Sequence, residues 1–331
     1  MSRNGAQTRD IVVVGTSLGG LDALSRLLEQ LPADFPASIF IVQHIGEQSA
    51  GFLAGILDGR TQLGVQMAVD GMTFERGCAY VAPPGHHMIL SRNGLGVVYG
   101  PRENLSRPAI DPLFRSAAFN FRSRVVGLLL TGLLNDGTSG LLAVARCGGL
   151  ALVQALDDAA YPDMPRNAMQ AVPQARQVAL DDLGVVLQNA VREVAPEPPP
   201  VPETIRVEAQ LTERGMNEDW NQVPGRPTNF TCPECSGAIR IMDEDGVSRY
   251  RCRVGHAYTD ETIIAAKDDA AEASLWNALQ TLEERVQMLQ SMARSERERG
   301  WGGSFETLEE RVRDAEHHAL NLRKYIQSMR A

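Results

Sequence analysis

The segment 11–20, IVVVGTSLGG, decides how the first half of this chain folds. Its first four residues are β-branched and apolar, which is typical of a parallel strand buried on both faces. A turn of small residues follows, and leucines then recur at helical spacing as far as Pro32, where a helix must stop. The segment therefore predicts a strand, a tight turn and a helix, which together begin an α/β sheet.

The same alternation continues through residues 9–190. Apolar runs at 38–42, 125–130 and 151–154 are further strand candidates, and helical stretches separate them. Short apolar strands that alternate with helices predict a doubly wound, mostly parallel α/β sheet with helices on both faces. In such sheets, functional side chains gather at the carboxyl ends of the strands.

Composition excludes several classes of function. The formal net charge of −9 argues against nucleic acid or an anionic membrane as a partner. No stretch approaches the roughly 20 apolar residues that span a bilayer, so no membrane insertion is expected. The segment 1–10 lacks the apolar core of a secretory signal. The five cysteines are an odd number, which fits a metal site in the reducing cytoplasm better than a disulfide framework.

The turn at 15–20 carries the first chemical indication. It fits G-x-S-x-G, the sharp turn that exposes a serine hydroxyl, here Ser17, above an α/β sheet. The N-terminus of the following helix favours negative charge on an attacked carbonyl. A phosphate-binding loop or a simple packing turn is the alternative on this motif alone. A serine nucleophile also needs a base and a group that orients the base.

Two further strand ends supply those groups. His44 ends the apolar run 39–44, and Asp136 follows the run 125–130. Each has a plainer interpretation, as a structural histidine and as an Asp-Gly turn or helix N-cap. Because three strand ends meet at one edge of a parallel sheet, we interpret Ser17, His44 and Asp136 as nucleophile, base and orienting group. The histidines expected to be solvated instead are His86, His87, His317 and His318.

At these residues the chain resembles the catalytic domain of the chemotaxis protein-glutamate methylesterase family. The resemblance covers about residues 9–190, and its motifs occur in the family's order. They are GTSLGG at 15–20, VQH at 42–44, YVAPPGHH at 80–87, RPAIDPLFRSAA at 107–118, LTGLLNDGTSG at 130–140 and VQALDDAAYPDMPRNA at 153–168.

The resemblance implies a cytoplasmic Ser–His–Asp hydrolase that needs no cofactor for catalysis. Its partner would be a chemoreceptor with methyl-esterified glutamate side chains. Ser17 would be the nucleophile, His44 the general base and then acid, and Asp136 the group that holds the imidazole. A backbone N–H near Leu133 would help hold the oxyanion. Some relatives also deamidate glutamine by the same acyl chemistry.

Some positions depart from the family pattern. Leu18 stands where many members carry a small or hydroxyl residue, and Leu133 and Leu134 replace a common Met-Gly pair. Leucine at 134 lacks glycine's backbone freedom, so an altered loop is expected. Many members also carry a receiver domain ahead of the esterase, whereas only ten residues precede the first strand here. We therefore expect regulation to be absent, supplied in trans, or built into the C-terminal half.

The remaining sequence predicts three further segments after an α/β catalytic domain at 1–190. They are a Pro-rich linker at 191–227, extended over 195–202, a zinc-binding ribbon at 228–258 and a helical hairpin or coiled coil at 259–331. The last is indicated by apolar residues at heptad-like spacing. A self-packing hairpin is the simpler interpretation, and docking of a partner coiled coil such as a chemoreceptor stalk is the other.

The ribbon is predicted from its ligand spacing. Cys232 and Cys235 form a C-x₂-C pair, and Cys252 and His256 form a C-x₃-H pair. Three thiolates and an imidazole complete a tetrahedral set for Zn²⁺ with no open position, which indicates a structural metal. Coincidental buried cysteines are the alternative. Cys78 and Cys147 are interpreted as core thiols.

Two functions thus remain for the whole chain. One is an active methylesterase, and the other is a catalytically silent scaffold that keeps the esterase fold to bind signalling partners. Labelling of Ser17 by a serine-directed acylating probe would distinguish them.

Overall fold

The computed structural model describes residues 7–46, 51–214, 220, 223–244, 246–299 and 302–329. The expectations for residues 1–6 and for the linker residues 215–219, 221 and 222 lie outside the described residues. The chain divides into two compact units, Met1–Ile263 and Ile264–Ala331.

The strands and helices in the α/β part of the first unit have the following bounds. The strands are β1 Ile11–Thr16, β2 Ser38–Gln43, β3 Gly64–Met67, β4 Cys78–Val81, β5 His87–Ser91, β6 Gly94–Val98, β7 Val125–Leu129, β8 Leu150–Gln154 and β9 Arg176–Val178. The helices are α1 Gly20–Glu29, α2 Leu53–Asp58, α3 Ile110–Phe121, α4 Thr138–Arg146, α5 Asp163–Ala171 and α6 Leu183–Ala190.

Seven of these strands form one parallel sheet in the order β3-β4-β2-β1-β7-β8-β9. This confirms the predicted parallel α/β sheet flanked by helices. Strands β2, β4 and β3 lie on one side of β1, and β7, β8 and β9 lie on the other, so the topology switches at β1. Ligand sites in open α/β sheets lie at such switch points, outside the carboxyl ends of the strands.

Strand β1 is buried on both faces, as its uninterrupted apolar run predicts. Val12 and Val14 pack in one core with the leucines of α1. Ile11 and Val13 pack in the other core with residues of α3 and α4. Because successive side chains of a strand point to opposite faces, a run without polar residues is what a two-sided core requires.

Residues 203–214 form helix α7, Glu203–Arg214, within the segment 191–227 that the sequence predicted to be a Pro-rich linker. The proline run ends at Pro202. Beyond it Ile205, Glu208 and Leu211 recur every three residues and are buried. Helical spacing of buried positions outweighs the composition of the preceding segment.

The first unit also contains a four-stranded antiparallel sheet, here called the C-terminal sheet. Its strands are β10 Arg226–Thr231, β11 Ala238–Glu244, β12 Val247–Cys252 and β13 Ala257–Thr259. Backbone hydrogen bonds join it to the loop before α3, because the N–H of Asn104 donates to the carbonyl of Ala257 at 2.8 Å. The C-terminal sheet therefore lies directly against the α/β part.

Two long helices, α8 Asp260–Glu298 and α9 Gly302–Ser328, make up most of the remaining chain. Within the second unit, Leu279 packs with Ala319 and Ile326, and Leu289 packs with Leu308 and Ala315. Earlier residues of α8 thus meet later residues of α9, so the two helices run antiparallel. Among the helices in the described residues, none has the length and apolar character needed to cross a bilayer.

Candidate active site

Three neighbouring strands end at one edge of the parallel sheet and bring the predicted side chains together. Ser17 directly follows β1, His44 directly follows β2, and Asp136 lies in the loop after β7. The parallel register pairs Thr16 with Gln43 and Gly15 with Leu129, so the ends of the three strands are level.

The side chains form a continuous hydrogen-bonded row. The Ser17 Oγ lies 3.1 Å from His44 Nδ1, and His44 Nε2 lies 2.7 Å from Asp136 Oδ2. An ionised carboxylate only accepts hydrogen bonds, which assigns the imidazole proton to Nε2. Nδ1 is then free to accept the serine proton. A hydroxyl, a base and an orienting carboxylate in this order form the arrangement of a nucleophilic serine.

The serine turn is held by its neighbours. The Ser17 N–H donates to the Thr131 carbonyl at 3.0 Å, and Gln43 Nε2 donates to the Ser17 carbonyl at 2.6 Å. Gly19 takes a φ of 80°, a left-handed conformation that glycine adopts without a Cβ clash. A Cβ added at Gly132 would lie 2.7 Å from that of Ser17, so the loop after β7 approaches the serine closely.

Asp136 is 1 % exposed and lies within a set of donors. Its carboxylate accepts the N–H of Ile110 at 2.7 Å, the N–H of Gly137 at 2.9 Å and Asn104 Nδ2 at 2.7 Å. Burial favours the neutral acid, but hydrogen bonds from His44, Ile110 and Asn104 outweigh it, so the pKa of Asp136 lies below its usual value. The group beside the imidazole is therefore held as an anion.

A second carboxylate lies behind the first. Asp111 is fully buried and accepts the N–H of Gly140 at 2.6 Å, Asn104 Nδ2 at 2.9 Å and Arg249 Nη1 at 3.0 Å. Burial and the negative charge of Asp136 raise its pKa to about 6, against the opposing charges of nearby arginines. Asp111 lies in the segment 107–118 quoted above, but nothing in the sequence distinguishes it from a residue that merely begins a helix.

Asp111 belongs to a buried ion cluster that links three parts of the first unit. The cluster consists of Glu103, Asp111, Arg115, Glu208, Arg249 and Arg251, whose side chains are at most 4 % exposed. Its ion pairs include Arg115 with Glu103 at 2.9 Å, Arg249 with Glu103 at 3.1 Å and Arg251 with Glu208 at 3.3 Å. The three guanidinium groups and three carboxylates balance in charge.

Sequence analysis missed this cluster. Arg249 and Arg251 alternate along β12, and such a pattern is typical of a solvent-facing side of a strand. Instead, that side lies against Glu103 of the α/β part and Glu208 of α7. Burial tends to raise the pKa of Glu103, but the three arginines of the cluster hold it well below its usual value.

A cleft of about 530 Å³ opens beside Ser17. Ser17, Leu18, Gln43, His44 and Arg60 are among its lining residues. The Leu18 side chain is 47 % exposed, which gives the serine an apolar neighbour on the accessible side. A substrate side chain can therefore reach the hydroxyl.

The loop after β7 keeps a left-handed residue despite its departure from the family pattern. Leu134 has a φ of 60°, and Asn167 Nδ2 donates to its carbonyl at 2.9 Å. A leucine in this region costs about 1–2 kcal/mol relative to a right-handed conformation. The surrounding structure thus holds leucine in a conformation that glycine would adopt without strain.

The expectation that His87 is solvated is wrong, because its side chain is 1 % exposed. Nε2 lies 2.9 Å from the Pro101 carbonyl, and Nδ1 lies 3.2 Å from the Ala109 N–H. One ring nitrogen donates and the other accepts, as in a neutral imidazole, and burial lowers the pKa of His87. His317 and His318 are exposed, as expected.

The donor atoms of Cys232, Cys235, Cys252 and His256 all lie within 4.8 Å of one another. The sulfurs of Cys235 and Cys252 are 3.6 Å apart, which is too far for a disulfide of about 2.05 Å. His256 Nδ1 lies 3.5 Å from the Cys252 sulfur. Zinc bonds of about 2.0–2.3 Å give tetrahedral edges of about 3.5–3.8 Å. The cluster could therefore hold a metal ion.

A carboxylate supports this cluster from outside. Glu234 Oε2 lies 3.3 Å from His256 Nε2, the position from which a carboxylate commonly orients a metal-bound histidine. Glu234 also pairs with Arg102 of the α/β part at 2.8 Å. Arg102 directly precedes Glu103 of the ion cluster. The cysteine–histidine cluster and the ion cluster therefore contact neighbouring residues of the same loop.

Residues 12–187 match the family model described as CheB methylesterase. A protein-glutamate methylesterase/protein-glutamine glutaminase 2 of Rhodospirillum rubrum is 39 % identical over 166 residues, which cover 49 % of this chain and 46 % of that protein. A protein-glutamate methylesterase/protein-glutamine glutaminase 3 of Burkholderia orbicola is 41 % identical over 159 residues, which cover 48 % of this chain and 47 % of that protein.

The crystal structure of the Thermotoga maritima CheB methylesterase catalytic domain matches the fold with a TM-score of 0.53 and 29 % identity. The matched region covers 55 % of this chain and 98 % of the Thermotoga maritima domain. The chain spans about half the length of the two curated relatives named above. Because the family model matches more than half of the chain, this protein belongs to the CheB methylesterase family.

Proposed function

We propose that this chain is a serine hydrolase that demethylates glutamate methyl esters on chemoreceptors. The observation that carries the proposal is the hydrogen-bonded row of Ser17, His44 and Asp136 beside an open cleft. The relatives named above are methylesterases and glutaminases by name, so we include deamidation of glutamine by the same chemistry.

The reaction follows from the protonation states at these atoms. Ser17 Oγ attacks the γ-carbonyl of the ester while His44 Nδ1 takes its proton, and Asp136 stabilises the imidazolium through Nε2. The imidazolium then protonates the departing methanol oxygen, which leaves a glutamyl ester on Ser17. His44 next takes a proton from water as the water attacks this ester. Return of the proton to Ser17 Oγ releases the glutamate carboxylate.

Main-chain groups are proposed to stabilise the oxyanion. The N–H of Ser17 is already bonded to Thr131, and that of Gly132 to Tyr161 at 2.9 Å. We therefore assign the donors to the residues that follow each of them, Leu18 and Leu133. A donor directly after the nucleophile is the usual arrangement in sheets with a serine turn of this kind. Both donors are main-chain groups, so the leucine side chains remove neither of them.

Methanol release from methyl-labelled chemoreceptor membranes tests the proposal. Wild type should release methanol, and Ser17→Ala should release none. Ser274→Ala is the matched control, because this hydroxyl lies on an exposed helix and donates to the Ala270 carbonyl. Release of ammonia from glutaminyl receptors tests deamidation in the same way. A folded wild type that releases no methanol and is not acylated at Ser17 would instead favour the silent scaffold.

We also propose that Cys232, Cys235, Cys252 and His256 hold a structural Zn²⁺, which makes the C-terminal sheet a zinc ribbon. The ligand spacing and the donor distances both fit a tetrahedral ion. Zinc would stabilise the ribbon and take no part in ester hydrolysis. Elemental analysis should find about one zinc per chain in wild type and a marked loss in Cys252→Ser. Equal metal content would contradict the assignment.

The cytoplasm is the proposed location, because three closely spaced thiols must stay reduced to bind zinc. The proposed partner is a methylated chemoreceptor cytoplasmic domain. Docking of a partner coiled coil on α8 and α9 is a further proposal. It rests on the exposure of Trp276, Met288 and Met292, whose side chains are 45 %, 65 % and 52 % exposed.

A further inference from the structure

We propose that Arg249 of the C-terminal sheet is a positioning residue for the catalytic group. Its guanidinium keeps Asp111 ionised and so holds Asn104 in the orientation that supports Asp136. The inference rests on the proposed function of Ser17, His44 and Asp136. It assigns the C-terminal sheet a part in the reaction although none of its residues reaches the serine.

Arg249 is fully committed to buried partners. Its side chain is 1 % exposed, and Nη1 donates to Asp111 Oδ2 at 3.0 Å and to Ser139 Oγ at 2.8 Å. Nη2 donates to Glu103 Oε2 at 3.1 Å. Three acceptors fix the position of this planar guanidinium and therefore of its positive charge. A lysine ammonium on a flexible side chain would be held less firmly.

Both oxygens of Asp111 act only as acceptors. Oδ1 receives the N–H of Gly140 at 2.6 Å, and Oδ2 receives hydrogen bonds from Asn104 and Arg249. A protonated carboxyl would direct its own hydrogen at one of these donors. The observed arrangement therefore fits the ionised form alone.

Asn104 transmits the state of Asp111 to the catalytic carboxylate. Its Nδ2 donates to Asp111 Oδ2 at 2.9 Å and to Asp136 Oδ1 at 2.7 Å. Its Oδ1 accepts from Thr262 Oγ1 at 3.2 Å, so the amide cannot turn over without losing that bond. The two amide hydrogens thus point at two carboxylate oxygens, one on each side, and each hydrogen bond is stronger when that carboxylate is ionised.

Two buried carboxylates that share a donor repel each other, and a nearby cation is needed to keep both ionised. The charged groups around Asp111 are Asp136 in the loop after β7, Arg115 on α3 and Arg249 on β12. The cluster carboxylates Glu103 and Glu208 offset part of the positive charge. Burial and Asp136 already raise the pKa of Asp111 to about 6. Without Arg249, we expect Asp111 to be protonated at neutral pH.

The test measures acylation of Ser17 by a fluorophosphonate probe as a function of pH. In that reaction Ser17 Oγ bonds to phosphorus, fluoride leaves, and His44 takes the serine proton. Arg249→Gln keeps amide donors and removes the charge, whereas Arg249→Lys keeps the charge. Both side chains are shorter than arginine, so both variants lose similar packing. Arg226→Gln is the matched control on the same sheet, with a side chain that is 71 % exposed.

We expect the glutamine variant to shift the acidic limb of the acylation profile upward by about one to two pH units. At pH 7 its acylation should fall about two- to tenfold. Arg249→Lys should shift the limb less, because it keeps the charge, and Arg226→Gln should follow the wild-type profile. If Arg249→Gln is folded and contains metal but its acylation profile has the same acidic limb as wild type, the proposal is overturned. Equal slowing of both Arg249 variants at every pH would also overturn it, because that indicates packing alone.

A second variant covers the case in which Arg249→Gln does not fold. Asn104→Ser leaves the ion pairs of Arg249 in place and removes the bridge between Asp111 and Asp136. It should lower acylation across the pH range while the metal is retained, and a wild-type rate would overturn the proposal. Failure of the proposed function looks different, since wild type itself would then not be acylated at Ser17.

Discussion

His44 presents Nδ1, rather than Nε2, to the Ser17 hydroxyl at 3.1 Å. In the serine protease template the two ring nitrogens have the opposite partners. The difference follows from where the residues sit, because His44 is the first residue after β2 and its ring extends away from the serine toward Asp136. The nitrogen nearest the backbone is therefore the one in position to act as the proposed base.

Replacement of this base should abolish acylation of Ser17. His44→Asn places an amide near the position of Nδ1 but supplies no group that can take a proton at neutral pH. We expect the rate of acylation by a fluorophosphonate probe to fall by about 10²–10⁴-fold. His318→Asn, on an exposed helical surface, should label like wild type. Normal labelling of His44→Asn would rule out its role as the base.

A methyl group at Gly132 should disturb the nucleophile. The added Cβ would lie 2.1 Å from Met164 Sδ and 2.7 Å from the Ser17 Cβ, so the loop or the serine must shift. Loss of one oxyanion donor lowers the rate by about 10²–10³-fold. We therefore expect Gly132→Ala to release methanol at least about 10²-fold more slowly than wild type. Gly55→Ala is the control, since a Cβ there meets nothing within 4 Å. Unchanged release would show that the loop adapts.

Loss of one cluster carboxylate should destabilise the protein strongly. Glu103→Gln leaves three buried guanidinium groups with two carboxylates, and an uncompensated buried charge costs about 3–5 kcal/mol. The free energy of unfolding in urea measures this cost. Glu193 is an ion-pair partner of Arg9 on the surface, and its side chain is 64 % exposed. We expect Glu193→Gln to change the free energy of unfolding by less than about 1 kcal/mol. Similar losses in both variants would contradict the balanced cluster.

The cluster also predicts how stability depends on pH. The pKa of Glu103 lies well below its usual value, and that of Glu208 lies below it, because the arginine charges outweigh burial. A carboxyl with a depressed folded pKa stabilises above its unfolded pKa of about 4.3 and loses this contribution as the pH falls. The free energy of unfolding should therefore decrease between about pH 5 and pH 3.

Glu103→Gln provides the control for that prediction. The variant should show a shallower decrease over the same pH range, because one of the two carboxyls with a depressed pKa is gone. Protonation of metal-binding thiolates affects wild type and variant alike, so only the difference between the two curves is informative. Parallel curves would mean that Glu103 does not titrate differently in the folded state.

Glycine at position 134 should stabilise the protein slightly. The left-handed conformation of Leu134 costs about 1–2 kcal/mol, and glycine loses about 0.5–1 kcal/mol through backbone entropy. We therefore expect Leu134→Gly to raise the free energy of unfolding by about 0.5–1 kcal/mol. Leu133→Gly removes a similarly exposed leucine and should not raise it. A decrease in Leu134→Gly would show that the leucine side chain contributes more than the strain costs.

The parallel sheet and the position of the candidate site could be predicted because both depend on local patterns. The run 11–14 needs no distant partner to indicate a buried strand, and parallel strands must end at a common edge. The cysteine–histidine cluster was likewise indicated by spacing within one short segment. The structure brings Cys232 and His256 together, as this spacing suggests.

The features that sequence analysis missed depend on contacts between distant segments. Arg249 and Glu103 are buried together with opposite charges from distant segments, and neither residue alone indicates a core position. His87 is buried because the carbonyl of Pro101 and the N–H of Ala109 satisfy its ring. The helix α7 was hidden by the proline run before it. In each case the favourable partner is set by the fold and not by neighbours in the chain.

The hydrogen bond between Thr262 and Asn104 has a consequence for protein synthesis. Ser17, His44 and Asp136 all leave the ribosome before the C-terminal sheet does. Until residue 262 has emerged and the sheet has docked, Asn104 lacks the hydrogen bond from Thr262 and Asp111 lacks its ion pair with Arg249, so Asp136 is incompletely supported. Under the proposed function, a nascent chain would thus carry Ser17, His44 and Asp136 without their full reactivity, and ester cleavage would begin only after the sheet has docked.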